Sequence, residues 1–405
     1  VIPSVVHDRD GKPRIEFAIG HNPKHGPTKE NDGTVGRTGA ACIACGTAVP
    51  LKDVRAKAQA GDLSEQLMAI VAEGDRRRHY LAPTTEHQEC AQIPIPASAP
   101  DAELAHDKMN IKTPLYGMKT VADLFTPRQL TALTTFSDLV GEARQRARAD
   151  AVTSGLPDEA VGLEAGGTTA SAYADSVAVY LALGVSKMTD MANALVSWKP
   201  SMDQAIHLFT RQAIPMLWDY SETPPLSESH AGGFMVTLKN LVKAVPCAGD
   251  GGRVRQADAA TRDYRGVVVS TDPPYYDNIG YANLSDFFYG WLRRSLMEVE
   301  PELFATLQTP KADELVADPY RHGGKQQASE FFEFGFKDVF RKIRGETPPD
   351  FPITVFYAFK QSESDVSGTV STGWQTLLEG MLTSGWEVTA TWPMRTELAN
   401  KVSGA

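Results

Sequence analysis

Cysteine is scarce in this chain, four residues among 405. That excludes a disulfide-dense scaffold and points to a reducing compartment, with the cytoplasm as the expected location. Long apolar runs are missing too. No stretch approaches the roughly 18 residues that a transmembrane helix needs, so no membrane partner is expected. Basic charge is not in excess: 40 Lys and Arg face 50 Asp and Glu, for a net charge of −10. A protein that coats nucleic acid through uniform positive charge is excluded, but a local basic groove is not. Internal repeats, low-complexity tracts and a secretory leader pattern are likewise absent. The first residue is Val1, which suits a chain that begins inside a longer protein. What remains is an ordinary folded composition, long enough for two or three domains.

Three segments are expected from changes in character: 1–100, 101–250 and 251–405. The first is rich in turn residues and carries Cys42-Ile43-Ala44-Cys45-Gly46. Within it SEQLMAIVAEGDRRRHY reads as a short helix-prone piece. The second reads helical. Thr126-Pro127-Arg128-Gln129 is a capping-box pattern with Pro at the first helical position. Residues 170–197 form a long apolar helical candidate with a break near Gly184. Ser201-Met202-Asp203-Gln204 repeats the capping pattern ahead of Ile206 and Phe209. In the third, RVRQADAA and GVVVST read as strands, the second a β-branched run suited to a buried parallel strand. Helices over 284–294, 326–344 and 373–383 then alternate with strands ITVFYAF and WEVTATW. Helix 284–294 reads as core packing. Alternation of this kind implies an α/β fold with parallel pairing.

One motif carries chemistry. Asp272-Pro273-Pro274-Tyr275 follows directly on GVVVST, and ligands of open α/β sheets bind at the carboxyl ends of strands. Asp and Pro also simply end strands, but these residues make a specific tool there. The Asp272 carboxylate and the Pro273 carbonyl are two acceptors, held rigid by two prolines. Tyr275 offers a ring for stacking. The set fits a planar exocyclic amine, whose lone pair two acceptors would localise and aim at an electrophile.

The run TDPPYYDNIGYANLSDFFYGWLRRSL closely resembles adenine-specific DNA methylases of the amino-methyltransferase class, in particular the family that couples a zinc ribbon to this domain. The likeness extends over GTVGRTGAACIACGTAVP, LFTPRQLTALTTF, RQAIPMLWDY, FPITVFYAFKQ and TWPMRTE. It implies a partial class-I (Rossmann-like) methyltransferase sheet with a helical insertion and a small zinc-ribbon-like segment. It implies S-adenosylmethionine as cofactor, DNA as substrate, and restriction or defence components as possible partners. By the same resemblance Asp272, Pro273, Pro274 and Tyr275 form the target-base motif. Asp258 meets the adenine of the cofactor. Tyr276, Asp277, Asn278 and Tyr281 line the target pocket, with Trp392, Arg395 and Glu397 flanking it.

The departure from the family pattern is a missing glycine-rich cofactor loop. EAGGTTAS, SHAGGFM and CAGDGGR have glycines without a suitable preceding strand, and only a glycine turn lets backbone approach the ligand closely. The family places that loop upstream of the zinc ribbon, so the chain reads as an internal piece of a longer methylase. Cys42 and Cys45 have the spacing of one zinc knuckle, two of four ligands. The resemblance puts the other pair upstream; Cys90 and Cys247 are single and distant, and His21 and His25 are available but lie in HNPKH, a loop of ordinary solvated-turn composition. A redox pair or unligated thiols are the alternatives. Arg76-Arg77-Arg78-His79 reads as a solvated helix end before it reads as a phosphate contact, whereas for Arg293 and Arg294 both readings stand. The expected reaction is methylation of adenine N6 in DNA. The alternatives are cytosine N4, RNA or protein glutamine as acceptor, and a non-catalytic nucleic-acid-binding subunit.

Overall fold

The computed structural model describes residues 1–7, 10–22, 24, 33–107, 109–245, 252, 254–276, 279–357 and 372–394. His25, Cys247, Asp277, Asn278, Arg395 and Glu397 lie outside the described residues. The architecture is mixed, helices with small two-stranded sheets. The chain divides into two compact units, 1–252 with 281–310, and 253–280 with 311–405. Segment 281–310 thus groups with the amino-terminal part, where the sequence reading joined it to the carboxyl-terminal segment.

The first unit opens with antiparallel pairs. β1 (Ile2–His7) pairs with β2 (Pro13–Ala18), and β3 (Gly39–Ala41) with β4 (Ala48–Pro50). Helix α1 (Leu51–Gln59) follows. The stretch expected to be helix-prone is instead a hairpin, β5 (Ile70–Gly74) with β6 (Arg77–Leu81). Its β-branched Ile70 and Val71 and a two-residue turn at Asp75–Arg76 favour cross-strand pairing over a helix. After α2 (Thr85–Cys90) comes α3 (Pro127–Thr153), which starts as its letters specify. The Gln129 N–H donates to Thr126 Oγ1 (3.2 Å), and the Thr126 N–H donates to Gln129 Oε1 (2.9 Å). α4 (Ala170–Thr189) runs unbroken through Gly184. That glycine is a close-approach site, because a β-carbon there would lie 3.1 Å from the Phe234 ring.

The second expected capping box is not a helix start. Ser201–Asp203 turn between β7 (Ser197–Lys199) and β8 (Gln204–Ile206), and Asp203 sits at φ +54°. The backbone groups of Ser197–Lys199 and Gln204–Ile206 are spent across the hairpin and leave no helix to cap. α5 (Phe234–Val242) and α6 (Tyr281–Leu296) complete the unit.

Its core lies where α3 and α4 pack on one another and α6 packs on both. Leu130, Leu133, Val185, Met188, Phe287 and Trp291 are all but sealed from solvent. Phe125 stacks on Phe287 at 5.5 Å and meets Trp291 edge-on at 5.4 Å. The aromatic face of α6 is therefore core, as the sequence suggested. Asp175, buried in α4, accepts from Arg144 Nε (2.6 Å) and the Leu163 N–H (2.9 Å), which ties the 154–169 connection to both long helices.

The second unit is built on β9 (Ser270–Thr271), α7 (Lys325–Glu346), β10 (Thr354–Val355) and α8 (Thr372–Thr383). β9 and β10 are parallel, with Ser270 opposite Thr354 and Thr271 opposite Val355. α7 places Phe332, Phe336, Phe340 and Ile343 on one buried stripe at helical spacing. Val269, Ile353, Val355 and Leu377 close on it. Three expectations need correction. RVRQADAA shows no strand among its described residues, and WEVTATW shows none either. Beyond Trp386, whose indole N–H donates to the Phe340 carbonyl (3.0 Å), its residues are exposed and make no ladder. GVVVST is a strand only in its last two residues, and Val267 and Val268 are exposed rather than buried.

Candidate active site at the end of the parallel pair

The pairing that positions the motif is short and regular. The Thr354 N–H donates to the Val269 carbonyl (3.0 Å) and the Phe356 N–H to the Thr271 carbonyl (2.8 Å). Residues just past both strand ends are thereby brought side by side. On β9 these are Asp272, Pro273, Pro274 and Tyr275, and on β10 they lead to Tyr357. The Asp272 carboxylate is exposed, and the prolines and Tyr275 are half-buried. The Tyr275 hydroxyl is 3.5 Å from Asp272 Oδ1, at the outer limit of a hydrogen bond. The rings of Tyr275 and Tyr357 meet at 5.5 Å and 86°, and Tyr357 lies 6.2 Å from Trp374 in the first turn of α8.

This is an open carboxylate beside a supported aromatic ring, at the carboxyl end of a parallel strand. It can accept hydrogen bonds from a planar amine and offer a ring for stacking. Tyr357 and Trp374 were not singled out from the sequence. The available signal was the parallel pairing itself, which requires the end of ITVFYAF to lie beside the end of GVVVST.

Tyr276 faces the other way. Its ring packs edge-on against Phe332 (5.0 Å), its hydroxyl donates to Ser329 Oγ (2.7 Å), and its carbonyl accepts from the Ala317 N–H (2.8 Å). The side chain expected to line a pocket is thus anchored in the α7 core. Tyr281 opens α6 and belongs to the first unit. Trp392 is largely exposed.

Asp258 is used locally. Its Oδ1 accepts from the Ala260 N–H (2.9 Å) and its carbonyl from the Arg262 N–H (3.0 Å), so it shapes the turn that leads to Tyr264. Among the described residues neither parallel strand is followed by a glycine-rich turn.

The thiols sit in a tight knuckle between β3 and β4. The Cys42 N–H donates to the Thr47 carbonyl (2.9 Å) and the Gly46 N–H to the Cys42 carbonyl (2.7 Å). Gly46 takes φ +72°, which a side chain would resist. The Thr47 hydroxyl, 3.1 Å from Cys45 Sγ, holds the Cys45 thiol below its usual range, with the Thr47 backbone and Cys42 adding to the effect. A more acidic thiol suits metal ligation. Among the described residues no group of three or more His, Cys, Asp and Glu that could hold a metal ion includes this pair.

The two basic runs separate clearly. Arg294 is held by Asp138 (2.7 Å) and the Ser98 carbonyl (2.8 Å), and Arg293 donates to the Phe304 carbonyl (3.1 Å). Both serve packing of the first unit. Arg76–His79 lies on the β5–β6 hairpin rather than at a helix end. Among the described residues no helix is long and apolar enough to cross a membrane. No family model, no curated protein and no solved structure matches the chain.

Proposed function

We propose that this chain carries the target-amine half of an amino-methyltransferase acting on the N6 amine of adenine in DNA, within a partial class-I-like sheet. The observation that carries the reading is the placement of Asp272-Pro273-Pro274-Tyr275 at the carboxyl end of a parallel strand, with Tyr275 braced by Tyr357. The adenine N6 is occupied in a duplex, so the base must leave the stack. Stacking on Tyr275 and acceptance by Asp272 offset part of that cost. With its hydrogens drawn to Asp272 and the Pro273 carbonyl, the amine lone pair is localised for attack. Asp272 need not act as a full base, because the amine proton becomes acidic once methylated. S-adenosylmethionine is the methyl donor that the resemblance implies. No glycine-rich turn follows either parallel strand among the described residues, so the reading is confined to the amine.

The test is methyl incorporation into DNA by the whole gene product, with the modified base identified by mass spectrometry. Asp272→Ala should lower the rate by about 10²–10³ and leave the affinity for the methyl donor unchanged. Undiminished activity in that variant moves the chemistry elsewhere, and methylated cytosine moves the acceptor to N4. A whole gene product that binds DNA but transfers no methyl group supports the non-catalytic alternative.

A further inference from the structure

The β5–β6 hairpin is built more firmly than a surface loop needs to be. Gly74 pairs with Arg77, which leaves Asp75 and Arg76 as a two-residue turn. Such turns ordinarily recruit Gly or Asn for their left-handed positions. Here Arg76 itself takes φ +57°. Backbone strain of this kind is retained where surrounding structure enforces it, and it marks candidate functional positions.

The enforcing contacts lie below the tip. Arg78 lies over the Trp198 ring at 5.7 Å, and Tyr80 meets the same ring edge-on at 6.2 Å. The Tyr80 hydroxyl donates to Asp203, the left-handed residue of the β7–β8 turn. On the other strand, Glu73 accepts from Ser229 Oγ (3.0 Å) and pairs with His230 Nε2 (3.3 Å). Both strands are thus clamped to the body of the first unit.

Above the clamps, Arg76 and Arg77 are exposed, and among the described residues neither pairs with a carboxylate. This differs from Arg128 and Arg294, whose guanidiniums are spent on Glu222 and Asp138. Two free planar forks on a stiff arm match phosphate oxygens in geometry and charge. The chain as a whole is acidic, at −10. A polyanion must therefore be met by a local basic element rather than by the general field.

We infer that the tip of the β5–β6 hairpin is a DNA-backbone contact, with Arg76 and Arg77 each engaging a phosphate. The choice of DNA as the polyanion rests on the proposed function. The contact positions the protein on the duplex and does not read its sequence.

The test is anisotropy of a fluorescein-labelled, mixed-sequence DNA duplex titrated with the protein over a range of salt. The double variant Arg76→Ala, Arg77→Ala should bind about 10–100-fold more weakly near 100 mM salt, and the slope of log affinity against log salt should shrink by about 2. A control double variant, Arg146→Ala with Lys239→Ala, removes the same charge from exposed positions on α3 and α5 and should bind as the parent does. Circular dichroism reports whether either variant has lost its fold. Parent-like binding by the hairpin variant overturns the inference, and so does a parent chain with no salt-dependent affinity for the duplex. Arginine-dependent binding to phosphatidylserine vesicles without binding to DNA overturns it as well. If no methyl transfer is found while arginine-dependent duplex binding persists, the proposed function fails and the hairpin contact stands.

Discussion

The helical core of the first unit and the parallel pair of the second bury their apolar residues in different ways. α3, α4 and α6 cover one another, and each apolar stripe meets another helix of the same unit. The β9–β10 pair alternates instead. Val269, Ile353 and Val355 turn toward α7 and α8, while Val268, Thr354 and Phe356 turn away, with Val268 62% and Phe356 43% exposed. Parallel strands are ordinarily covered on both faces. A helical bundle satisfies itself within short stretches of chain, whereas a parallel sheet depends on what lies across it. The proposed amine site sits on the second kind of structure.

That contrast can be broken most severely in the cores. Trp291→Ala and Phe332→Ala each remove a wholly buried ring, one per unit, and each should cost about 3–5 kcal/mol. Denaturant unfolding followed by hydrogen exchange should show protection lost first in the unit that carries the substitution. Uniform loss across both units would mean that they unfold as one. Tyr275→Ala comes next. It should weaken capture of an extrahelical base by about 1–3 kcal/mol, read as a rise in apparent KM for DNA, while Tyr275→Phe stays close to the parent. A severe Phe variant would assign the work to the hydroxyl and not to the ring.

Thr126→Ala removes the reciprocal cap of α3 and should cost about 1 kcal/mol, measured as a lower denaturation midpoint. Val268→Ala should fall within about 0.5 kcal/mol. A larger loss would show that the outer face of the pair is covered in solution.

The smallest expected effect is in acid. The Lys342 ammonium (2.7 Å) and then the Tyr264 N–H hold the Glu346 carboxyl below the ordinary glutamate range. A carboxyl depressed in the folded state adds stability above its unfolded pKa, and that stability is lost as pH falls through the folded value. Thermal midpoints of the parent should therefore drop on acidification below the ordinary glutamate range. Glu346→Gln should flatten that part of the profile, and an unchanged profile would remove Glu346 from the account.

Legibility in the sequence was greatest where the signal acts within a short stretch of chain. The α3 start was readable because Thr126, Pro127 and Gln129 are close together and act on their own backbone. A helix was expected over 326–344, and α7 covers Lys325–Glu346. Ser201–Gln204 carries the same letters as a cap, but cross-strand pairing of Trp198 with Ala205 outweighs them. SEQLMAIV looked helix-prone because its alternation is short, and the decisive feature was the turn at Asp75–Arg76. Asp272–Tyr275 could be located from four letters after a β-branched run. Tyr357 and Trp374 could not, since their proximity to Tyr275 exists only once two distant strands are parallel. Tyr276 was misleading for a related reason. Neighbours in sequence at a strand end point to opposite sides, and one of two adjacent tyrosines is spent on the core.

The two-residue turn of the β5–β6 hairpin also sets which changes of length the arm can absorb. Side chains on a strand alternate with a period of two. One residue inserted between the turn and Arg77, with the turn geometry kept, would shift the pairing by a single step. Arg77 and His79 would then face Trp198, and Arg78 and Tyr80 would swing outward. The Asp203 anchor would be lost together with the clamp on the ring, although every residue of the motif would still be present. Two residues inserted there would keep both faces but slide Arg78 and Tyr80 two places along β5, whereas one residue added on each side of the turn would keep every existing pair and lengthen the reach. The hairpin should accordingly tolerate growth shared equally between its two strands and resist growth confined to one of them.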